Sequence, residues 1–194
     1  MFQEIYKYIK RIGPRSFMRH FFEIYIGALF RWLPGPEGLI LRNLLYRTLF
    51  SHTGGTMYVY PHVYIAFCDR ISTGNRLSIN VGCIIDARGG LDFGDNVLIG
   101  PHCTIVTSNH VHDDLDTPIC FQPLSEVRTV IGNNVWLGAS STLRPGIRIG
   151  DGSIVAAGAV VVNDVPPNSI VAGVPARVVK VRKQSAPANG TAHA

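Results

Sequence analysis

Thr129-Val130-Ile131-Gly132-Asn133-Asn134-Val135-Trp136-Leu137-Gly138 opens a stretch in which an aliphatic residue returns at every sixth position: Ile131, Leu137, Leu143, Ile149, Val155 and Val161. A small residue follows most of them (Gly132, Gly138, Gly150, Ala156), and two places earlier sit Thr129, Val135, Ser141, Ile147, Ser153 and Ala159, all small or β-branched. An amphipathic helix needs a period near 3.6, and ordinary antiparallel strands break at irregular turns. A sustained period of six fits neither. It predicts a parallel β-helix, in which each coil stacks its aliphatic residues on those of the next.

The same step appears upstream. Phe93-Gly94, Ile99-Gly100 and Ile105 keep it, and so do Thr73-Gly74, Ile79 and Ile85. The β-helix is therefore expected over residues 57–180, interrupted by a polar excursion over 107–128. Residues 1–56 have a different texture. Phe2, Ile5, Tyr6 and Ile9 recur at helical steps, Pro34-Gly35-Pro36 breaks the pattern, and Ile40, Leu41, Leu44, Leu45 and Leu49 resume it. Two helical pieces are expected there, with capping of the β-helix and lying on a membrane interface as two compatible roles. Residues 181–194 read as a flexible tail.

Composition bounds the function. Of the 194 residues, 46% are hydrophobic and 16% charged, enough apolar surface for a packed fold. Residues 1–50 hold eight Lys/Arg against three Glu, while residues 51–194 hold ten basic against ten acidic side chains. The net charge of +5 thus belongs to the N-terminal segment. No basic stripe marks the main body, which argues against nucleic acid and for an anionic membrane surface or acidic partner. Phe21 to Leu33 is too short to span a bilayer and carries Glu23 and Arg31. The N-terminus lacks the pattern of a signal peptide. Cys68, Cys83, Cys103 and Cys120 lack metal-site spacing, and most lie in or beside apolar runs, so they read as reduced thiols in a reducing compartment.

A solenoid can be a bare scaffold or an ice-binding surface. The excursion is more than a scaffold needs, and no regular outward Thr columns appear. Two motifs carry a more specific reading: Val130 to Gly138, and Asn163-Asp164-Val165-Pro166-Pro167 followed by Ala172-Gly173-Val174-Pro175-Ala176-Arg177. They resemble the hexapeptide-repeat acetyltransferases, the group of the galactoside, maltose, serine and polysaccharide enzymes. The resemblance covers roughly residues 70–180. Asp86-Ala87-Arg88-Gly89-Gly90-Leu91 looks more like the sugar and polysaccharide members.

The resemblance implies a left-handed coil, a homotrimer with active sites between subunits, and acetyl-CoA as co-substrate. It implies acetyl transfer to a hydroxyl of a sugar or polysaccharide precursor. The excursion supplies the chemistry in Ser108-Asn109-His110-Val111-His112-Asp113-Asp114. A neutral alcohol needs a base to attack a thioester, and imidazole suits the task. His110 matches the family's catalytic position, with His112 as the second choice. Asp113 and Asp114 could join them at a metal, but no third distant ligand is evident, so no metal is expected. The Ala139 amide matches the group that meets the thioester, while Trp136, Ala157, Asn163 and Arg177 fall along the coenzyme A track. Many relatives carry Lys at the place of Asn163. Lys180, Arg182 and Lys183 read as a solvated basic tail. Asp86 and Arg88 are candidates for binding the acceptor, or for building a turn with Gly89-Gly90. Two other functions stay open: N-acylation of an amino sugar, and a non-catalytic β-helix binding module. A cytoplasmic enzyme, peripheral at the inner membrane face, completes the expectation.

Overall fold

The computed structural model describes Tyr6, Lys10 and residues 13–183. Two helices, α1 (Pro14–Arg31) and α2 (Gly35–Leu49), precede a left-handed parallel β-helix of about six coils. Pro34-Gly35-Pro36 is the helix break, since Pro fits the first turn of α2 and Gly35 adopts φ 74°. Of the first helical pattern, Phe2, Ile5 and Ile9 lie outside the described residues, as do residues 184–194 of the expected tail. Val181 still pairs with Ser169, and the Arg182 amide donates to Asn168 O at 2.7 Å.

The coils are triangular, with three faces of short parallel strands. The first face stacks His52–Thr53, Ile71–Thr73, Leu91–Phe93, Thr129–Ile131 and Arg148–Ile149. The second stacks Met57–Val59, Leu77–Ile79, Val97–Ile99, Trp136–Leu137, Ile154–Val155 and Ser169–Ala172, closed by the antiparallel strand Arg177–Val181. The third stacks Tyr64–Ala66, Ile84–Asp86, Thr104–Val106, Thr142–Leu143 and Val160–Val161. The six-residue step is one face per step. Ile131, Leu137, Leu143, Ile149, Val155 and Val161 are all buried, as are the small and β-branched residues two places before each.

Coil length is not uniform. Leu137 lies opposite Val155 and Leu143 opposite Val161, an eighteen-residue coil. Met57 lies opposite Leu77 and Leu77 opposite Val97, a twenty-residue coil. The two extra residues always fall at the corner between the third and first faces, at Phe67–Arg70 and again at Ala87–Gly90. The same corner releases the excursion. Across it Thr129 still pairs with Leu91 in register.

Side-chain ladders fix the corner between the first and second faces. Asn133 Oδ1 accepts the Asp95 amide at 2.8 Å, and Asp151 Oδ1 accepts the Asn133 amide at 2.8 Å. Gly132 sits beside this ladder because a Cβ there would lie 2.2 Å from Asp151 Oδ1. The helices are held to the coil by Arg42. Its Nε donates to Val59 O at 2.7 Å, and its guanidinium donates to Phe30 O and Leu33 O at 3.0 and 2.7 Å, closing the C-terminal end of α1. Tyr46 is buried beside it, and burial raises its phenol pKa. Among the described residues no helix is long and apolar enough to cross a membrane.

Candidate active site

The excursion is an ordered structure. Ser108–His110 and Leu124–Glu126 form an antiparallel hairpin in which His110 faces Leu124 and Ser108 faces Glu126. Gln122 knots its interior: the buried side-chain amide donates to Asp114 O and Thr117 O, both at 2.7 Å. Asp114 serves the same turn. The Thr117 side chain and the Asp116 amide hydrogen-bond to its carboxylate and hold its pKa below the usual range. Asp114 is therefore a loop builder, and among the described residues no three His, Cys, Asp or Glu side chains gather as a metal site.

Two ion pairs tie the hairpin to the coil. Arg70 donates to Glu126 at 2.9 Å, and Arg128 to Asp92 at 2.6 Å. At the base, the Val127 amide donates to Thr107 O and the Gly89 amide to Thr107 Oγ1 at 2.6 Å.

His110 and His112 line one open cavity of about 230 Å³ with Asn109, Asp113, Ser125 and Arg144. Both imidazoles are exposed. His112 Nδ1 lies 3.0 Å from His110 O. A carbonyl can only accept, so Nδ1 carries the proton and Nε2 of His112 keeps its lone pair. Arg144 comes from the turn after the third face; nothing in the sequence singled it out, because only the coil geometry swings that turn beneath the hairpin.

Ala139 and Ala157 occupy equivalent places on adjacent coils, at the corner between the second and third faces. The Gly158 amide donates to Ala139 O at 2.8 Å, which stacks the two turns. Five residues hold this place up the coil: Pro61, Val81, Pro101, Ala139 and Ala157. The two prolines have no N–H, and the Val81 amide is taken by Asn80 Oδ1 at 2.7 Å. The amides of Ala139 and Ala157 donate to no group among the described residues. A pair of free donors thus begins at the coil that follows the hairpin. That pattern depends on which turns carry proline and could be read from the sequence only once the turns were aligned.

The other expected residues distribute as follows. Trp136 points outward from the second face and is 51% exposed. Asn163 and Arg177 line a separate cavity of about 140 Å³ near the last coil, where Arg177 donates to Ala176 O at 2.9 Å. Asp86 lies one coil before the hairpin, paired with Val106. Its Oδ1 accepts the Arg88 amide at 3.0 Å, and the Arg88 guanidinium stacks 4.7 Å above Phe67. Asp86 therefore builds the turn in this structure. Asp86 and Arg88 share that turn with each other and do not line the His110 cavity.

The β-helix thus carries a histidine hairpin at one corner and two free amides, those of Ala139 and Ala157, at another. Residues 128–163 match the family described as bacterial transferase hexapeptide (six repeats). Galactoside O-acetyltransferase of Escherichia coli (strain K12) is 36% identical over 146 residues, covering 75% of this chain and 70% of that protein. A galactoside acetyltransferase solved in complex with coenzyme A superposes with a TM-score of 0.77 at 31% identity, over 86% of this chain and 82% of that one. A hexapeptide-repeat acetyltransferase of Vibrio cholerae O1 biovar eltor, complexed with acetyl coenzyme A, gives 0.72 at 28% identity, over 91% and 90%. The chain belongs to the hexapeptide-repeat acetyltransferases.

Proposed function

We propose that the enzyme moves an acetyl group from acetyl-CoA to a hydroxyl of a sugar or polysaccharide precursor, with His110 as general base. The observation that carries this reading is the histidine hairpin at one corner of the coil stack and the free Ala139 amide at the neighbouring corner of the next coil, groups that adjacent copies of the chain would bring together. In the reaction the imidazole takes the acceptor's hydroxyl proton as the oxygen attacks the thioester carbonyl. The Ala139 N–H supports the negative charge that develops on the carbonyl oxygen. Collapse of the tetrahedral intermediate breaks the C–S bond, and the imidazolium returns the proton to the leaving thiolate. Products are the acetyl ester and free coenzyme A.

Ala157 offers the next donor to the pantetheine arm, Trp136 lines the groove, and Asn163 and Arg177 meet the nucleotide end, where Arg can pair with phosphate. Asp86 and Arg88, whose turn lies one coil before the hairpin and outside the His110 cavity, would meet a more distant part of the acceptor. The enzyme works as a homotrimer, a reading supported by the outward apolar residues Leu98 and Trp136, which lie opposite each other on the second face. It works in the cytoplasm, peripheral to the inner membrane face, where the basic N-terminal segment meets a membrane-bound glycan precursor.

A second reading makes His112 the base, and it rests on the 3.0 Å contact that holds its Nδ1 proton against a carbonyl and leaves Nε2 ready to accept. The test is release of free thiol from acetyl-CoA against a panel of sugars. His110→Ala is expected to cost at least about a hundredfold, the ordinary scale for losing a general base. Full activity in that variant with loss in His112→Ala would transfer the role to His112. Transfer confined to amino sugars would select N-acylation, and no turnover of acetyl-CoA with any acceptor would leave a binding module.

A further inference from the structure

Helix α1 is built inside out. Met18, Phe21, Phe22, Tyr25 and Leu29 recur at three- and four-residue steps and continue into Trp32, and every one of them is exposed. Leu29 and Trp32 are 70% and 66% exposed. Two charged residues of the same helix, Glu23 and Arg31, point the other way. Glu23 is only 5% exposed and accepts the Cys68 amide at 3.2 Å, while the Arg31 guanidinium lies 5.0 Å over the Tyr64 ring. Helix α2 repeats the arrangement, with Arg42 buried and Ile40 and Leu44 exposed. A helix that caps a core ordinarily shows the reverse. Here the polar residues do the fastening to the coil, and the apolar stripe is left for something else.

From this we infer that the outward stripe of α1 is a lipid-docking surface that seats in the interface of an anionic leaflet, which rests on the peripheral location proposed for the enzyme. Two features select lipid over a protein partner. The stripe mixes Phe and Leu with Tyr25 and Trp32, the composition that settles at the boundary between headgroups and acyl chains. The chain's positive excess is confined to the fifty residues that contain both helices, eight Lys/Arg against three Glu, and six against two remain once the inward-turned Arg31, Arg42 and Glu23 are set aside, while the rest of the chain is balanced. Anionic lipid is the complement of that combination, because basic residues near the surface add to what apolar burial supplies. The helix lies flat, since none of the described helices is able to span.

The test is flotation of the full-length protein with vesicles of phosphatidylcholine and phosphatidylglycerol, beside vesicles of phosphatidylcholine alone. Wild type is expected to float with the anionic vesicles, and less so as salt rises. The double variant Phe22→Glu, Leu29→Glu is expected to lose at least about tenfold in vesicle-bound fraction. Both side chains are exposed, and thiol release from acetyl-CoA with a soluble sugar reports whether the variant remains folded. As a second readout in a Trp136→Phe background, Trp32 fluorescence is expected to shift to the blue on anionic vesicles only. A wild type that stays wholly with the unbound fraction overturns both the docking and the peripheral location, whatever its acetyl transfer. A double variant that floats like wild type keeps the location and overturns the stripe. A smaller lipid-free particle for that variant by light scattering would assign the stripe to contact between copies of the chain, and also overturns the proposal.

Discussion

The upper and lower coils of this β-helix differ by two residues, and those two residues separate architecture from chemistry. From Thr129 to Val161 each coil closes in eighteen residues, and the last, which sets Ile154 opposite Ile170, in sixteen; none has a surplus at the corner between its third and first faces. Below Thr129 each coil closes in twenty, and the surplus makes a turn occupied by Phe67, Arg70, Asp86 and Arg88. Between the two regions the same corner expands into the hairpin that bears His110. The faces stay in register throughout. The corner between the third and first faces can therefore change length while the faces cannot, because a face residue must stay in register with the strands above and below it, and the corner can lengthen without shifting that register.

This contrast predicts a graded set of effects. The largest belongs to a face. Leu137 is fully buried between Ile99 and Val155, so Leu137→Ala should cost about 2–5 kcal/mol in chemical denaturation. A loss as small as that of a surface substitution would break the comparison. Next comes the hairpin, where His110→Ala should lower turnover at least about a hundredfold while leaving the melting temperature within a degree or so of wild type. A large fall in stability would mean that the hairpin belongs to the architecture after all. Third, Arg177→Ala should raise the KM for acetyl-CoA by roughly tenfold with little change in kcat, as expected of a charge-assisted phosphate contact away from the reacting atoms. Smallest is the Arg70–Glu126 tether. Both side chains are partly exposed, so Glu126→Gln should cost under about 1 kcal/mol of stability, and its effect should be sought as a few-fold loss of activity that Arg70→Lys largely avoids.

The faces were legible in the sequence because burial enforces them. The aliphatic step from Ile131 to Val161 needs no knowledge of the corners, and it points to a parallel β-helix directly. The upstream step falls into separate stretches, Thr73 to Ile85 and Phe93 to Ile105, and the gap between them is the longer corner. Its cause is a turn chemistry that carries no period. Site residues followed the same rule. His110, Ala139 and Arg177 stood out through motifs that resemble a family, whereas Arg144 enters the cavity only by the stacking of coils. Asp86 and Arg88 carried two readings from sequence. The structure uses them together as one turn, since Asp86 accepts the Arg88 amide and Arg88 covers Phe67. The inverted helix was hidden for a different reason. Periodicity shows that α1 has an apolar side, but not which side the rest of the molecule occupies.

The proline-bearing corner has a further consequence. Donors at Ala139 and Ala157 stand one strand spacing apart, about 4.8 Å, and the next place down is Pro101, which has none to offer. An extended ligand with amide carbonyls laid along this edge meets two graduations of a ruler and then its end. Under the proposed function, the end of that row sets how far such a chain slides along the coil edge. Pro101→Ala would add a third graduation, and with it a second depth at which the reactive end could come to rest.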